Sequence, residues 1–240
     1  MKDESHHSDG NNFHLSTFLF PLSIFHFQLS SFHLLHRLIA QGEHQQQDFK
    51  YEISDVRKIA RTLSAFANTD GGRLLIGVKD NGKIAGVRSD EEIYMVEAAA
   101  TIYCVPPVAC HITVHRVEGH NVVIAEVEPS DVRPVRARLD DDSLCAFVRI
   151  ADENIVASPV QMALWREADR AGGTLLPFTA REQQLLQLLA GAPEPLTLNR
   201  FARLGRLPRY RAVQLLAQFI RFGLVEQQFV EHTFVYVSVD

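Results

Sequence analysis

The chain has 240 residues, 46% of them hydrophobic and 22% charged, which is ordinary globular material and length for one large domain or two small ones at roughly 150 residues each. Its formal net charge of −5 excludes a polycation, so any grip on nucleic acid must come from a local basic patch and not from the global field. Cys104, Cys110 and Cys145 are an odd set without CxxC spacing, which argues against a disulfide framework or zinc cluster and fits a reducing, cytoplasmic setting.

Residues 1–33 are atypical. A polar start gives way to a Phe- and Leu-rich stretch from Phe13 to Phe32, broken by Pro21, several Ser and His26. Asp3, Glu4 and Asp9 stand where a secretory signal would be basic, and the breaks make a poor membrane span, so no membrane partner is expected. Three readings stay open: a start set too far upstream, a targeting segment, or an added helix on the domain.

From Leu34 the signals sharpen. Leu34, Leu35, Leu38 and Ile39 predict a short amphipathic helix stopped at Gly42. Asp48–Ile53 alternates as a strand. Ser54 is placed as the N-cap of a helix whose apolar face holds Val56, Ile59, Ala60, Leu63, Phe66 and Ala67. That helix ends in the turn formers Asn68, Thr69, Asp70, Gly71 and Gly72. Arg73–Val78 then reads as a strand, Asp80-Asn81-Gly82 as a hairpin turn, and Lys83–Val87 as the returning strand. A helix from Ser89 to about Tyr103 is closed by Pro106-Pro107. His111–Val117 and Asn121–Val127 flank a tight turn, and Ala146–Ile150 is a further strand. Ser158 caps a helix running from Pro159 to Ala168. The expected class over residues 34–170 is α+β with a mixed sheet.

Residues 171–177, opening Ala171-Gly172-Gly173-Thr174, read as a linker. In 178–240, Thr179 and Glu182 form a capping box before Leu185, Leu186, Leu188 and Leu189. A second helix spans Leu198–Leu204, Gly205 turns the chain, and Pro208 starts a third. Gln228–Val230 and Thr233–Val237 follow as strands. Three helices and a terminal hairpin are the order of a winged helix-turn-helix.

Arg200, Arg203, Arg206, Arg209, Arg211 and Arg221 lie on the second and third of these helices, with no Asp or Glu between the first and last. Arginine forks suit phosphate oxygens and guanine edges, and the start of a recognition helix would present Arg209, Tyr210 and Arg211 to a major groove. A solvated basic surface or a dimer contact is the bland alternative, and Glu226 and Glu231 leave the hairpin little positive charge. Glu43 and Asp48, with Asp80 and Asp70 downstream, are carboxylates of the type that holds a divalent ion and activates water; solvated or ion-paired acids are the simpler reading. The Asn68–Gly72 loop permits a tight turn or close approach of a phosphate. It is no Walker loop, because its glycines enter a strand, so ATP is not expected. His111 and His115 share a strand face without a third ligand, and Asp140-Asp141-Asp142 reads as a solvated loop.

Gly42-Glu43 with Asp48-Phe49-Lys50, the block Ser64–Gly72 and Leu75–Asp80 resemble the Schlafen-type AlbA-like domain, over about Leu34–Ala168. Phe147–Asn154 with Ala157-Ser158 is similar to the segment that closes this domain in bacterial relatives, which are described as DNA-binding or ATP-binding transcriptional regulators and often carry a winged helix. The resemblance adds Lys50 to the nucleic-acid candidates. In the eukaryotic branch, related domains cleave transfer RNA with three metal-binding acids. Their Glu-x4-Glu-Phe-Lys motif matches at Glu43 and Asp48, and the third acid falls at or near Asp80. Here Asp replaces the second Glu and Lys79 adjoins the third acid, two departures that weaken metal affinity. That nuclease also uses two such domains, which a homodimer would supply. The expectation is therefore a homodimeric DNA-binding transcriptional regulator without a cofactor, preferring DNA to RNA. The alternatives are a Mg2+- or Mn2+-dependent endoribonuclease on structured RNA and a protein-interaction module.

Overall fold

A computed structural model describes residues 32–168 and 179–239; the atypical segment up to residue 31 and the expected linker at 171–177 lie outside them. Residues 32–40 form helix α1. After it come strand β1 (Gln47–Lys50), helix α2 (Val56–Asn68), β2 (Gly72–Ile76) and α3 (Glu91–Ala98), which runs into a π-helical turn over Ala99–Tyr103. Five strands follow: β3 (Cys104–Val105), β4 (Cys110–Val117), β5 (His120–Val127), β6 (Arg136–Arg138) and β7 (Leu144–Ile150). Strand β8 (Glu153–Val156) then leads to α4 (Pro159–Ala168).

The class is α+β with a mixed sheet, as expected, and the domain holds a second sheet besides. One is mixed, in the order β1-β2-β5-β4, with β1 parallel to β2 and the other pairs antiparallel. The second, β3-β6-β7-β8, is antiparallel throughout. Helix α2 lies between them. From Ile59 to Asn68 only Arg61 is not buried, and Ala60, Ser64, Ala65 and Ala67 are small enough to let both sheets approach closely. The period-2 alternation of the central strands then sorts their side chains. Leu74, Ile76, Val123, Ala125 and Val127 pack with α2, while Leu75, Val122 and Ile124 pack with Leu35 and Leu38 of α1. Burying these large apolar groups is worth about 1.5–3 kcal/mol apiece.

Two local expectations are corrected. The N-cap of α2 is Asp55, not Ser54, because its carboxylate accepts from Arg57 N. Lys83–Val87 is not a strand; only the bridge between Val78 and Ile84 forms. The backbone is drawn instead into a close approach at Gly77, whose carbonyl accepts from Ala85 and Gly86 N–H. Gly77 has φ +92, and a Cβ there would meet the Gly86 backbone at 2.8 Å, so only glycine fits.

The C-terminal unit contains α5 (Ala180–Ala190), β9 (Leu196–Thr197), α6 (Leu198–Leu204), α7 (Arg209–Arg221), β10 (Val225–Val230) and β11 (Thr233–Ser238). Its strands form one antiparallel sheet, β10-β11-β9. The capping box of Thr179 and Glu182 is present. Glu231 and His232 both have positive φ, the backbone of a two-residue type I′ turn. Helix α4 joins the two halves. Its Val160 and Ala163 lie in the core with Leu216 and Phe219, while Trp165 packs with Ala146 and Val148 on the outer face of β7. Ser158 Oγ, which caps α4, donates to Gln227 Oε1 of β10 at 2.8 Å.

Candidate nucleic-acid interface

The acidic corner forms where α1 hands over to β1. Asp48 is 4% exposed. Its Oδ2 lies 2.9 Å from Lys50 Nζ and its Oδ1 3.5 Å from Arg149 Nη2. Glu43 Oε1 accepts from Phe49 N at 2.9 Å. Burial first, and then its hydrogen bond with Asp48, hold the Glu43 carboxyl above the usual carboxylate range. Asp80 is exposed on its turn. Among the described residues no group of three or more His, Cys, Asp or Glu is placed to hold a metal ion. Glu43, Asp48 and Asp80 therefore do not assemble the expected Mg2+ or Mn2+ set. Two cationic side chains already occupy Asp48, and that leaves a divalent ion little field to bind in. Lys50, expected on nucleic acid, has its ammonium against Asp48 and the Phe49 carbonyl.

Arg149 is the residue sequence reasoning missed. It is the largest fully buried side chain, at 2% exposure. Its guanidinium donates to Asn154 Oδ1 and to the carbonyls of Gln47 and His44 at 2.9, 3.2 and 3.4 Å, and its face covers the Phe66 ring. Gln45 Nε2 donates to the Arg149 carbonyl, Gln46 Nε2 to the Asp70 carbonyl, and Gln47 Nε2 to those of Leu38 and Gly42. Three consecutive glutamines thus fasten the turn before β1. The only hint in sequence is that Arg149 stands in the Phe147–Asn154 segment quoted above.

The Asn68–Gly72 loop turns inward as well. Asn68 Nδ2 donates to the carbonyls of Val135 and Phe147, and its Oδ1 accepts from Val135 N at 2.8 Å. Thr69 Oγ1 accepts from Arg149 N. A Cβ at Gly71 would strike the Val127 carbonyl at 2.7 Å, and one at Gly72 the Phe66 ring at 2.5 Å. Asp70 remains on the rim of a shallow depression with Gln46, Arg73 and Glu128. These residues lock α2 to both sheets, and their polar groups are used by the protein itself.

The cysteines are free thiols, and burial pushes Cys104 up to about 12 and Cys110 up to about 11, too high for a reactive thiolate. His111 lies 3.8 Å from Glu126. The acidic loop is not merely solvated: Asp140 reaches Arg57 and Arg61 of α2, and Asp141 bonds Ser143.

The C-terminal arginines present the opposite picture. Over residues 179–239 there are seven arginines and four glutamates, so this unit is basic within an acidic chain. Arg200 is ion-paired with Glu194 at 3.1 Å. Arg203, Arg206, Arg209 and Arg211 are exposed, and among the described residues none of them is ion-paired. Arg209 Nε donates to Asn199 Oδ1 and Arg211 Nη1 to Gln214 Oε1, both neutral. Tyr210 is 65% exposed. Arg206 terminates α6 with φ +49, and the following Leu207 N–H reaches back to the Ala202 carbonyl. Glycine is the usual occupant of that left-handed position.

The profile of the family described as Schlafen, AlbA_2 matches residues 43–158. No curated protein matches the chain. Among solved structures, the chain is similar to the crystal structure of the DIP2311 protein from Corynebacterium diphtheriae, at 17% identity and a TM-score of 0.45, with 89% of this chain and 39% of that one covered. This chain therefore spans about two fifths of that protein's length. It is also similar to the solution structure of the N-terminal domain of a RecG-related protein from Nitrosomonas europaea, at 20% identity and a TM-score of 0.38, covering 62% of this chain and 96% of that one.

Proposed function

As residues 43–158 belong to the Schlafen AlbA_2 family, we propose that the protein binds nucleic acid, gripping duplex DNA through its C-terminal unit as a transcriptional regulator does. The observation that carries the reading is the group Arg203, Arg206, Arg209 and Arg211, exposed and outside ion-pair distance of any carboxylate among the described residues. The order α5-β9-α6-α7 followed by a hairpin supports a winged helix, in which α7 enters the major groove and its first residues meet base edges. Arg203 in the last turn of α6 and Arg206 on the turn before α7 would hold backbone phosphates. Glu226 and Glu231 on the hairpin argue for α7, not the wing, as the main contact. A homodimer would place two such helices on half-sites one or more helical turns apart.

The test is fluorescence anisotropy with duplex DNA across a salt series. Two phosphate-neutralising arginines, Arg203 and Arg206, give a slope of log K against log salt of about −1.8, and the Arg203→Ala/Arg206→Ala variant loses it. Binding unchanged in that variant overturns the proposal. A parallel incubation with hairpin RNA and Mn2+ separates the nuclease reading, which requires cleavage that Glu43→Ala abolishes.

A further inference from the structure

An open groove of about 670 Å3 gathers side chains from three separate parts of the chain. Arg136 comes from β6, Met162 and Arg166 from α4, and Arg209, Tyr210 and Val213 from α7. No Asp or Glu lines it. Among the described residues none of its three arginines is ion-paired. Where hydrogen bonds engage them they go to neutral acceptors: Arg166 Nε to the Met162 carbonyl at 3.2 Å and Arg209 Nε to Asn199 Oδ1 at 3.3 Å. Those bonds leave the terminal guanidinium nitrogens available as forks. The rest of the lining is mostly apolar, from Pro159, Met162, Val213 and Tyr210, with Gln214 as a neutral polar side chain.

We propose that this groove is a binding site for a small aromatic anion, a planar ring bearing a phosphate or carboxylate. Three arginines lining one groove without an acid among them favour a negative head, and their planar forks match either oxyanion. Tyr210 offers a π-face for a ring to stack on, and Met162 adapts to the other side. The volume falls within the roughly 300–1,000 Å3 range of small-molecule pockets. The apolar floor is what separates this site from a simple phosphate contact, because a nucleic-acid backbone has nothing with which to fill it. The groove shares Arg209 and Tyr210 with the face proposed to meet DNA, whereas Arg136, Met162 and Arg166 belong to the groove alone.

Isothermal titration of the full chain with adenosine monophosphate, salicylate and inorganic phosphate tests it. At least one aromatic anion should bind saturably with one-to-one stoichiometry, and the better of the two identifies the head group. Arg166→Gln and Arg136→Gln should each weaken that binding about tenfold, and Tyr210→Ala about threefold, with circular dichroism unchanged. Arg166 ends a helix, so its variant keeps the test valid even if the strand variant fails to fold. Absence of saturation with both aromatic anions overturns the proposal. So does equal affinity in the folded variants, or inorganic phosphate binding as tightly as the aromatic anions.

Discussion

The α/β domain and the C-terminal unit use the same polar residue types to opposite ends. In the first, Arg149 is sealed beneath the surface with Asp48, Asn154 and two backbone carbonyls as its partners. In the second, Arg203, Arg206, Arg209 and Arg211 stand in solvent. A buried arginine held by an ion pair and three hydrogen bonds cannot be altered without disturbing the fold, whereas an exposed one can be altered almost freely. Charge near a recognised motif is therefore a poor guide to binding. What separates the two regions is whether the protein already satisfies the charge.

The largest effect expected from this contrast is at Arg149. Arg149→Met leaves Asp48 buried with one cation fewer and removes several hydrogen bonds, at a cost of about 3–5 kcal/mol. Urea denaturation would read it; a loss below about 1 kcal/mol would place Arg149 with the surface arginines and erase the contrast. Arg206 gives a smaller effect whose sign differs between two assays. Arg206→Gly relieves a left-handed backbone position and should stabilise by about 0.5–1 kcal/mol. The same change should cut the salt slope of DNA binding by about 0.9. If stability and binding fall together, Arg206 is part of the packing after all.

The smallest effect is on pH dependence. Burial, then the charges of Arg73 and Arg149, hold His44 below the ordinary histidine value, and its Nδ1 accepts a hydrogen bond from Gln46 N. Burial lowers His115 too. In the window just below the unfolded value of 6.5 the unfolded chain binds more protons than the folded one, so stability rises with pH up to that value. Glu43 works the other way: with its folded value raised above 4.5, its contribution is full below 4.5 and is lost as pH climbs through the folded value. His44→Asn keeps an acceptor for Gln46 and should flatten the rise near pH 6. An unaltered pH profile would show that His44 titrates alike in both states.

The central helix, its turn and the following strand were legible because Asp70-Gly71-Gly72 punctuates two clear periodicities. The same holds for α6 and α7, bounded by Gly205 and Pro208. Strand β6 was not legible: Arg-Ala-Arg offers one apolar residue and gains its identity only between β3 and β7. Much the same applies to Asp48, whose partner Arg149 lies a hundred residues away in the chain. Spacing exposed the acidic pair but not the cations that neutralise it. The arginines of α6 and α7 were visible because their clustering is local, yet the gathering of Tyr210 and Arg136 into one groove depends on how α4 packs against α7.

That crossing has a consequence for how the molecule can be divided. Helix α4 contributes one face to each half, so a cut before residue 159 strips the C-terminal core of Val160 and Ala163, while a cut after residue 168 leaves those two without cover. Neither half is a self-contained module. An exchange of C-terminal units between relatives would have to carry α4 along and re-fit its Trp165 face to a new host sheet, which makes the two halves a matched pair.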